Sequence, residues 1–457
     1  MFIKNRKELE ENIECSKCRE ARKKILDTLE VVLKAADPEK AVKKNVSIGN
    51  GFVEICREKF RFNRLYVIGF GKASGGMAKA VEEVFGNMIA EGVIALPKQL
   101  SKKYVLRKIK VIPSSHPIPD ESSVKAAKEI VRIAEKACEK DLVLVLISGG
   151  GSALAELPRP EISISDLKET TEVLLKSGAS IDEINTIRKH LSLFKGGWLA
   201  KKIYPATTVS LIISDVVGDP IEFIASGPTA PDSTTFNDAL EIVRKYGIEN
   251  KLPLNVLNIL KLGAKGALEE TPKPGDKIFE KVHNNIIASN MVSLKAAQQY
   301  AKEKLGLNTL ILTSRIRGEA RHVGVVLASV LEEIYYNDTP LKKPSLILAG
   351  GETTVTVVGK GVGGRNQELA LSAAKIIRGL HGVALASIGT DGIDGVTEVA
   401  GGIVDAHTLN RALNLNMKID DILSENNSYF LFKKLGDYIY TGPTGTNVND
   451  VFVGVVL

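Results

Sequence analysis

Aromatic residues are scarce in this chain: Phe, Tyr and Trp make up 5% of 457 residues, with a single Trp. Single-stranded nucleic acid is held largely by rings stacked between basic residues. No basic run here is interleaved with aromatics, so no nucleic acid partner is expected. Long hydrophobic runs are missing too. No apolar stretch approaches the ~20 residues needed to cross a bilayer, and the amino terminus, MFIKNRKELEENIEC, is charged and lacks a signal-peptide core. A cytoplasmic protein with no membrane partner is expected. Cysteine is rare, with four in the chain. Cys15 and Cys18 form a lone C-x-x-C, but no second pair with metal spacing follows and no strand precedes it, as a redox motif would require. Reduced thiols on or near a helix are the expectation.

What is present reads as globular: 44% hydrophobic, 25% charged, and a formal charge of +7 with no basic tail. That excess suits small anionic substrates. The length exceeds one ordinary core and predicts two domains. Residues 19–36 carry helical spacing ended by Asp-Pro. Buried strands RLYVIGF (64–70), LVLVLIS (142–148) and TTVSLIIS (207–214) then alternate with helices, which implies a parallel sheet covered on both faces. GAKGALEETPKPGDKIFEK (263–281), rich in Gly, Pro and charge, is the predicted boundary and hinge, giving domains at residues 1–270 and 271–457. Beyond it the alternation resumes through HNNIIASN, LNTLILTS, PSLILAGGE, TVTVVG, VALASIGTDG and a closing strand, VFVGVVL.

Ligands of open α/β sheets bind beyond the carboxyl ends of the strands. Here those positions are loaded with glycine: GFGKASG (69–75), SGGGSAL (148–154), SDVVGDP (214–220), ASGPT (225–229), GGETTV, GKGVGGRNQE, GTDGIDG (389–395) and TGPTGTNVND (441–450). Glycine lets backbone approach a ligand, and unpaired amides at a helix start attract anions. Ser148, Gly149, Gly150, Gly151 and Ser152 are therefore a candidate phosphate or carboxylate cradle. Gly363 and Gly364 are expected to turn the chain tightly into a helix whose amides favour an anion, with Arg365 adding a bidentate fork. Asn290, at the end of HNNIIASN, joins the substrate-binding candidates. Asp391 and Asp394 could hold magnesium through water, or serve as Asx-turns for local amides. Asp215 and Asp219 are balanced in the same way, and Arg317 and Arg321 between ion pairing and phosphate. His116 reads as structural.

Lys72, after the first strong strand, could meet an anion at the sheet edge. A P-loop is excluded, because it needs Gly at 66 and Ser or Thr at 73 where the chain has Tyr66 and Ala73. Gly69, Gly71 and Gly75 approximate a dinucleotide fingerprint. The acid expected about 20 residues on, at the end of the second strand, is missing, since Glu91 stands at that strand's start.

Taken in order, GFGKAS, SGGGSAL, RKHLSLFKGGWLA, ISDVVGD, ASGPT, GGETTV, GGRNQELAL, GTDGIDG and TGPTGTNVND resemble the glycerate 2-kinase family, whose carboxyl-terminal part is called the MOFRL domain. The resemblance covers nearly everything from about residue 64 onward. It implies a Rossmann-like α/β domain followed by a second α/β domain, with the site in the cleft between them. It further implies ATP-dependent phosphorylation of D-glycerate at the 2-hydroxyl, with Lys72 and Arg365 as the central basic residues. On that reading ATP and Mg2+ or another divalent cation are the cofactors, Asp391, Asp394 or Asp215 binds magnesium or orients the hydroxyl, and a homodimer is left open. The alternatives are an NAD(P)-dependent hydroxypyruvate or 2-hydroxy acid reductase, against which the missing ribose-binding acid argues, and a non-catalytic sugar-acid binder.

Overall fold

The structure is a computed structural model that describes all 457 residues. The chain divides into two compact units, Pro38–Ile287 and a discontinuous one formed by Met1–Asp37 with Ala288–Leu457. This differs from a single boundary near residue 270. The 263–281 segment is docked inside the first unit: Thr271 donates to buried Asp232 at 2.9 Å, and Arg159 donates to the Glu269 carbonyl at 2.8 Å. Its Gly, Pro and charge content marks irregular backbone, and buried hydrogen bonds hold that backbone in place.

In the first unit the apolar runs become strands buried on both sides. Tyr66, Ile68 and Phe70 of Leu65–Phe70 share a core with Val143, Val145 and Ile147 of Leu142–Ser148 and with Ala126, Ala127 and Ile130 of helix Glu121–Ala134. The six-stranded sheet runs Ile109–Ser114, Ile89–Pro97, Leu65–Phe70, Leu142–Ser148, Thr207–Ile213, Val282–Ala288. The first five are mutually parallel. Counted from Leu65 along the chain this is the order 3-2-1-4-5-6 of dinucleotide-binding folds, which reverses direction between Leu65–Phe70 and Leu142–Ser148. Ligand crevices form at such a reversal, because the two neighbouring strands send their following helices to opposite faces. A small antiparallel sheet over Val46–Phe60 and a helical cluster around Leu174, Phe236 and Leu260 complete the unit.

The second unit carries a mixed sheet in the order Asn308–Ile316, Ser345–Gly351, Asp450–Val456, Val383–Gly389, Gly401–Asp405, Tyr438–Ile439. The closing strand lies in the middle, antiparallel to both neighbours. Its apolar run is continuous because helices cover both faces, so a central antiparallel strand reads like a parallel one. Helices Ser16–Ala36 and Asn290–Leu305 pack one face, around Ile25, Leu29 and Leu294. Helices Ala320–Asn337 and Arg365–Ile376 pack the other, around Leu331 and Leu369. The alternating TVTVVG is not a strand; Asn426 accepts from the Val358 and Gly359 amides instead of a sheet neighbour.

The antiparallel centre has a functional consequence. Asp450, the first residue of that strand, is in register with Gly351 and Gly389, the last residues of its neighbours. The GGETTV, GTDGIDG and TGPTGTNVND loops therefore converge on one sheet edge.

Candidate active site

In the first unit, the crevice at the strand-order reversal is lined by GFGKAS and SGGGSA. The Lys72 amide donates to the Gly149 carbonyl at 2.9 Å and the Ala73 amide to Ser148 Oγ at 3.0 Å, locking the two loops together. Gly71, at φ +127°, lies so close to Ser148 that a Cβ would come within 2.2 Å of its hydroxyl. Gly149 passes against Asp215, where a Cβ would sit 1.8 Å from the carboxylate, and a Cβ on left-handed Gly150 would meet the His116 ring at 2.9 Å and Lys72 Cγ at 3.3 Å. The glycines are thus spent on close approach, and they gather Lys72, His116 and Asp215 around one backbone cradle. Lys72 is exposed. His116, half-buried, is held below its ordinary pKa by burial and by the charge of Lys72.

Two further loops reach the same turn. Ser152 Oγ and Ser226 Oγ lie 2.8 Å apart, and Ser226 donates to Asn185 Oδ1 at 3.2 Å. Ala225, Ser226 and Gly227 all hold left-handed backbone, φ 52°, 62° and 61°, which is costly for the two non-glycine residues and typical of functional sites. Arg188 Nη2 donates to the Ser152 carbonyl at 3.2 Å. Burial lowers the pKa of this half-buried guanidinium, with Glu156 opposing, and no carboxylate reaches it within ion-pair distance. Its neighbours in RKHLSLFK are neutralised: Lys189 pairs with Asp232 at 2.6 Å, and Lys195, its pKa lowered by burial to about 8, pairs with Glu156. Arg188 carries no distinguishing signal in the sequence, because only the tertiary contacts separate it from its paired neighbours.

In the second unit, Arg365 opens helix Arg365–Ile376 and grips Asp450 with two nitrogens, Nε–Oδ2 at 2.7 Å and Nη2–Oδ1 at 3.0 Å, while Nη1 lies 3.1 Å from Glu352. Burial pulls its pKa down, but the carboxylates outweigh that and raise it. Asp450 is fully buried, and burial lifts its pKa to about 6 against the pull of Arg365 and Asn366. Asn290 is buried and donates to the Val448 and Asp450 carbonyls at 2.9 and 2.8 Å, so its amide braces the start of the central strand.

Asp394 corrects the expectation for the helix start. Its carboxylate accepts from the Asn366 and Gln367 amides at 3.0 and 2.9 Å and from both their side chains. The anion that these amides hold is the protein's own, and the carboxylate, fully buried, has no oxygen left over for a metal. Gly364 is extended, φ −156°, so no tight turn occurs there; it is glycine because a Cβ would strike Asp394 at 2.3 Å. Gly363 likewise avoids Ser428. Asp391 makes an Asx-turn, Oδ1 accepting from the Ile393 amide at 3.1 Å, and keeps its second oxygen. Arg321 pairs with buried Glu368 at 2.9 Å. Beside Arg365 opens a cleft of about 460 Å³ whose walls include Thr353, Val355, Val357, Gly395 and Val396.

A family model described as a domain of unknown function, DUF4147, matches residues 24–261, and the model of the MOFRL family matches residues 345–450. Glycerate 2-kinase of Pyrococcus horikoshii is 46% identical over 93% of this chain and 94% of its own, and D-glycerate 2-kinase of Thermotoga maritima 41% identical over 95% and 98%. The chain belongs to the glycerate kinase family. The crystal structure of the Thermotoga glycerate kinase superposes with a TM-score of 0.86 at 40% identity, covering 95% of this chain and 99% of that one. Both matched regions carry glycine loops at strand ends, one set within each unit.

Proposed function

We propose that this chain transfers a phosphoryl group from ATP to the 2-hydroxyl of D-glycerate, giving 2-phosphoglycerate and ADP. The observation that carries the reading is the pair of cations at the strand-order reversal: Lys72 and Arg188 flank the Ser148–Ser152 cradle, and neither is cancelled by a carboxylate ion pair. Phosphoryl transfer asks mainly for positioning and for positive charge against the moving group. In this account Lys72, Arg188 and the cradle amides hold anionic oxygens of glycerate or of the phosphates. His116, neutral because burial and Lys72 depress its pKa, accepts the hydroxyl proton. Arg365, tied to Asp450 and Glu352, lines the adjoining apolar cleft, which is wide enough for the nucleotide. Magnesium prefers carboxylate and water oxygens. Asp391 suits it through its second oxygen and Asp215 lies at the cradle, whereas Asp394 is consumed by the helix amides. Bound there, the ion would neutralise phosphate charge.

Against a nicotinamide-dependent reductase stands Glu91, the one acid near the required spacing. It sits at the beginning of its strand, tied to Arg132 at 2.8 Å and Lys136 at 2.6 Å, away from the end where a ribose would bind. Incubation with D-glycerate separates the readings: ADP release on adding ATP supports the kinase, and NAD(P)H formation with no ADP refutes it.

A further inference from the structure

The lone C-x-x-C has partners that its local sequence does not reveal. Cys15 caps helix Ser16–Ala36, its sulfur accepting from the Cys18 amide at 3.4 Å, and Cys18 is buried in the first turn. His381 lies in the turn before strand Val383–Gly389, and His407 in the turn after strand Gly401–Asp405. Folding brings these four residues together within the second unit, so that one ligand atom from each lies within 4.8 Å of all the others. Cys15 Sγ is 4.0 Å from His381 Nδ1, and the two imidazole centroids are 5.1 Å apart.

We propose that Cys15, Cys18, His381 and His407 form a tetrahedral zinc site that clamps the amino-terminal segment to the second unit. Two thiolates and two neutral imidazoles balance one divalent charge, and a soft sulfur with borderline nitrogen donor set selects zinc over magnesium or calcium. Tetrahedral Zn–S and Zn–N bonds of about 2.3 and 2.0 Å put ligand atoms roughly 3.3–3.8 Å apart. The observed envelope needs a contraction of only about 1 Å, within reach of side-chain rotation. Two independent details point to a missing partner and a prepared shell. His407 Nε2 is buried without a hydrogen bond. The Gly382 amide donates to the Cys18 sulfur, and the His407 amide to buried Asp405 at 2.8 Å, the kind of second-layer contact that orients metal ligands.

The site would close a loop of more than 350 residues, joining a segment that enters its unit separately in sequence from the rest. Arg22 fixes the same helix through buried Asp405 and Asp437, and zinc would fasten its start. The role is structural. The cluster lies beyond the carboxyl end of helix Arg365–Ile376, whose twelve residues span ~18 Å from Arg365.

The test uses the full-length chain with no affinity tag. Elemental analysis is expected to give about one zinc per chain. After chelation, cobalt is expected to restore intense visible d–d bands and a thiolate charge-transfer band of tetrahedral sulfur and nitrogen ligation. Cys15→Ser and His381→Asn, both at positions that are not buried, are expected to lose those bands while circular dichroism shows a folded chain. Chelation is expected to lower Tm in the unmodified protein and not in Cys15→Ser. Absence of bound metal together with an octahedral cobalt spectrum, bands that persist in both variants, or a Cys15–Cys18 disulfide in the purified chain would each overturn the proposal.

Discussion

Arg365 and Asp450 form a two-point pair, Nε to Oδ2 at 2.7 Å and Nη2 to Oδ1 at 3.0 Å, with the carboxylate fully buried at the start of the central strand. The register that sets Asp450 between Gly351 and Gly389 thereby fixes the Arg365 guanidinium at this helix start. Because burial raises the Asp450 pKa to about 6, against about 3.9 unfolded, the folded chain binds the proton more tightly. Between about pH 4 and 6 it carries more protons than the unfolded chain, so this group's contribution to stability falls as pH rises through that window, by up to about 3 kcal/mol. Denaturant unfolding across pH 4–7 is expected to show the decline, and Asp450→Asn to abolish it. A variant with an unchanged pH profile would contradict the assignment.

Lys72 is exposed and makes no ion pair, so Lys72→Ala is expected to leave Tm unchanged and cut kcat/KM by roughly 10²-fold or more. Arg188→Ala removes charge-assisted contacts worth about 1.5–3 kcal/mol, a ~10–100-fold rise in KM for glycerate or ATP. Steady-state kinetics checks both, and near-normal values in either variant would remove that residue from the site.

His116→Gln keeps a polar side chain of similar reach and removes the proton acceptor. Its kcat is expected to fall roughly 10²-fold, with loss of the acid limb of the pH–rate profile. An unaltered limb would return His116 to a structural role.

Asp394 is expected to behave as a helix cap. Asp394→Ala strips four donors of their acceptor and should destabilise the chain by about 2–4 kcal/mol in thermal or urea unfolding. A shifted magnesium requirement with unchanged Tm would instead make it a metal ligand.

The parallel strands and their glycine loops were legible because strands buried on both faces read as unbroken apolar runs, and loops at strand ends need glycine for close approach. Relations between distant segments were not legible. Residues 1–37 look like a prelude to the first unit, yet helix Ser16–Ala36 packs on a sheet formed after residue 300. GGRNQE suggests exposed amides awaiting a ligand, but the acid that fills them comes from another loop, Asp394. Arg188 and Lys189 look alike in sequence; only the fold gives Lys189 an aspartate and leaves Arg188 without one. Cys15 and Cys18 lacked a second metal pair in the sequence because their neighbours are histidines 366 residues further on and beyond.

Transfer of phosphate to the 2-hydroxyl is read out by an assay coupled through enolase, since enolase accepts 2-phosphoglycerate and not the 3-isomer. With D-glycerate, ATP and magnesium, and no phosphoglycerate mutase, phosphoenolpyruvate should accumulate in step with ADP. ADP that appears without phosphoenolpyruvate, or no ADP alongside NAD(P)H oxidation by hydroxypyruvate, would contradict it.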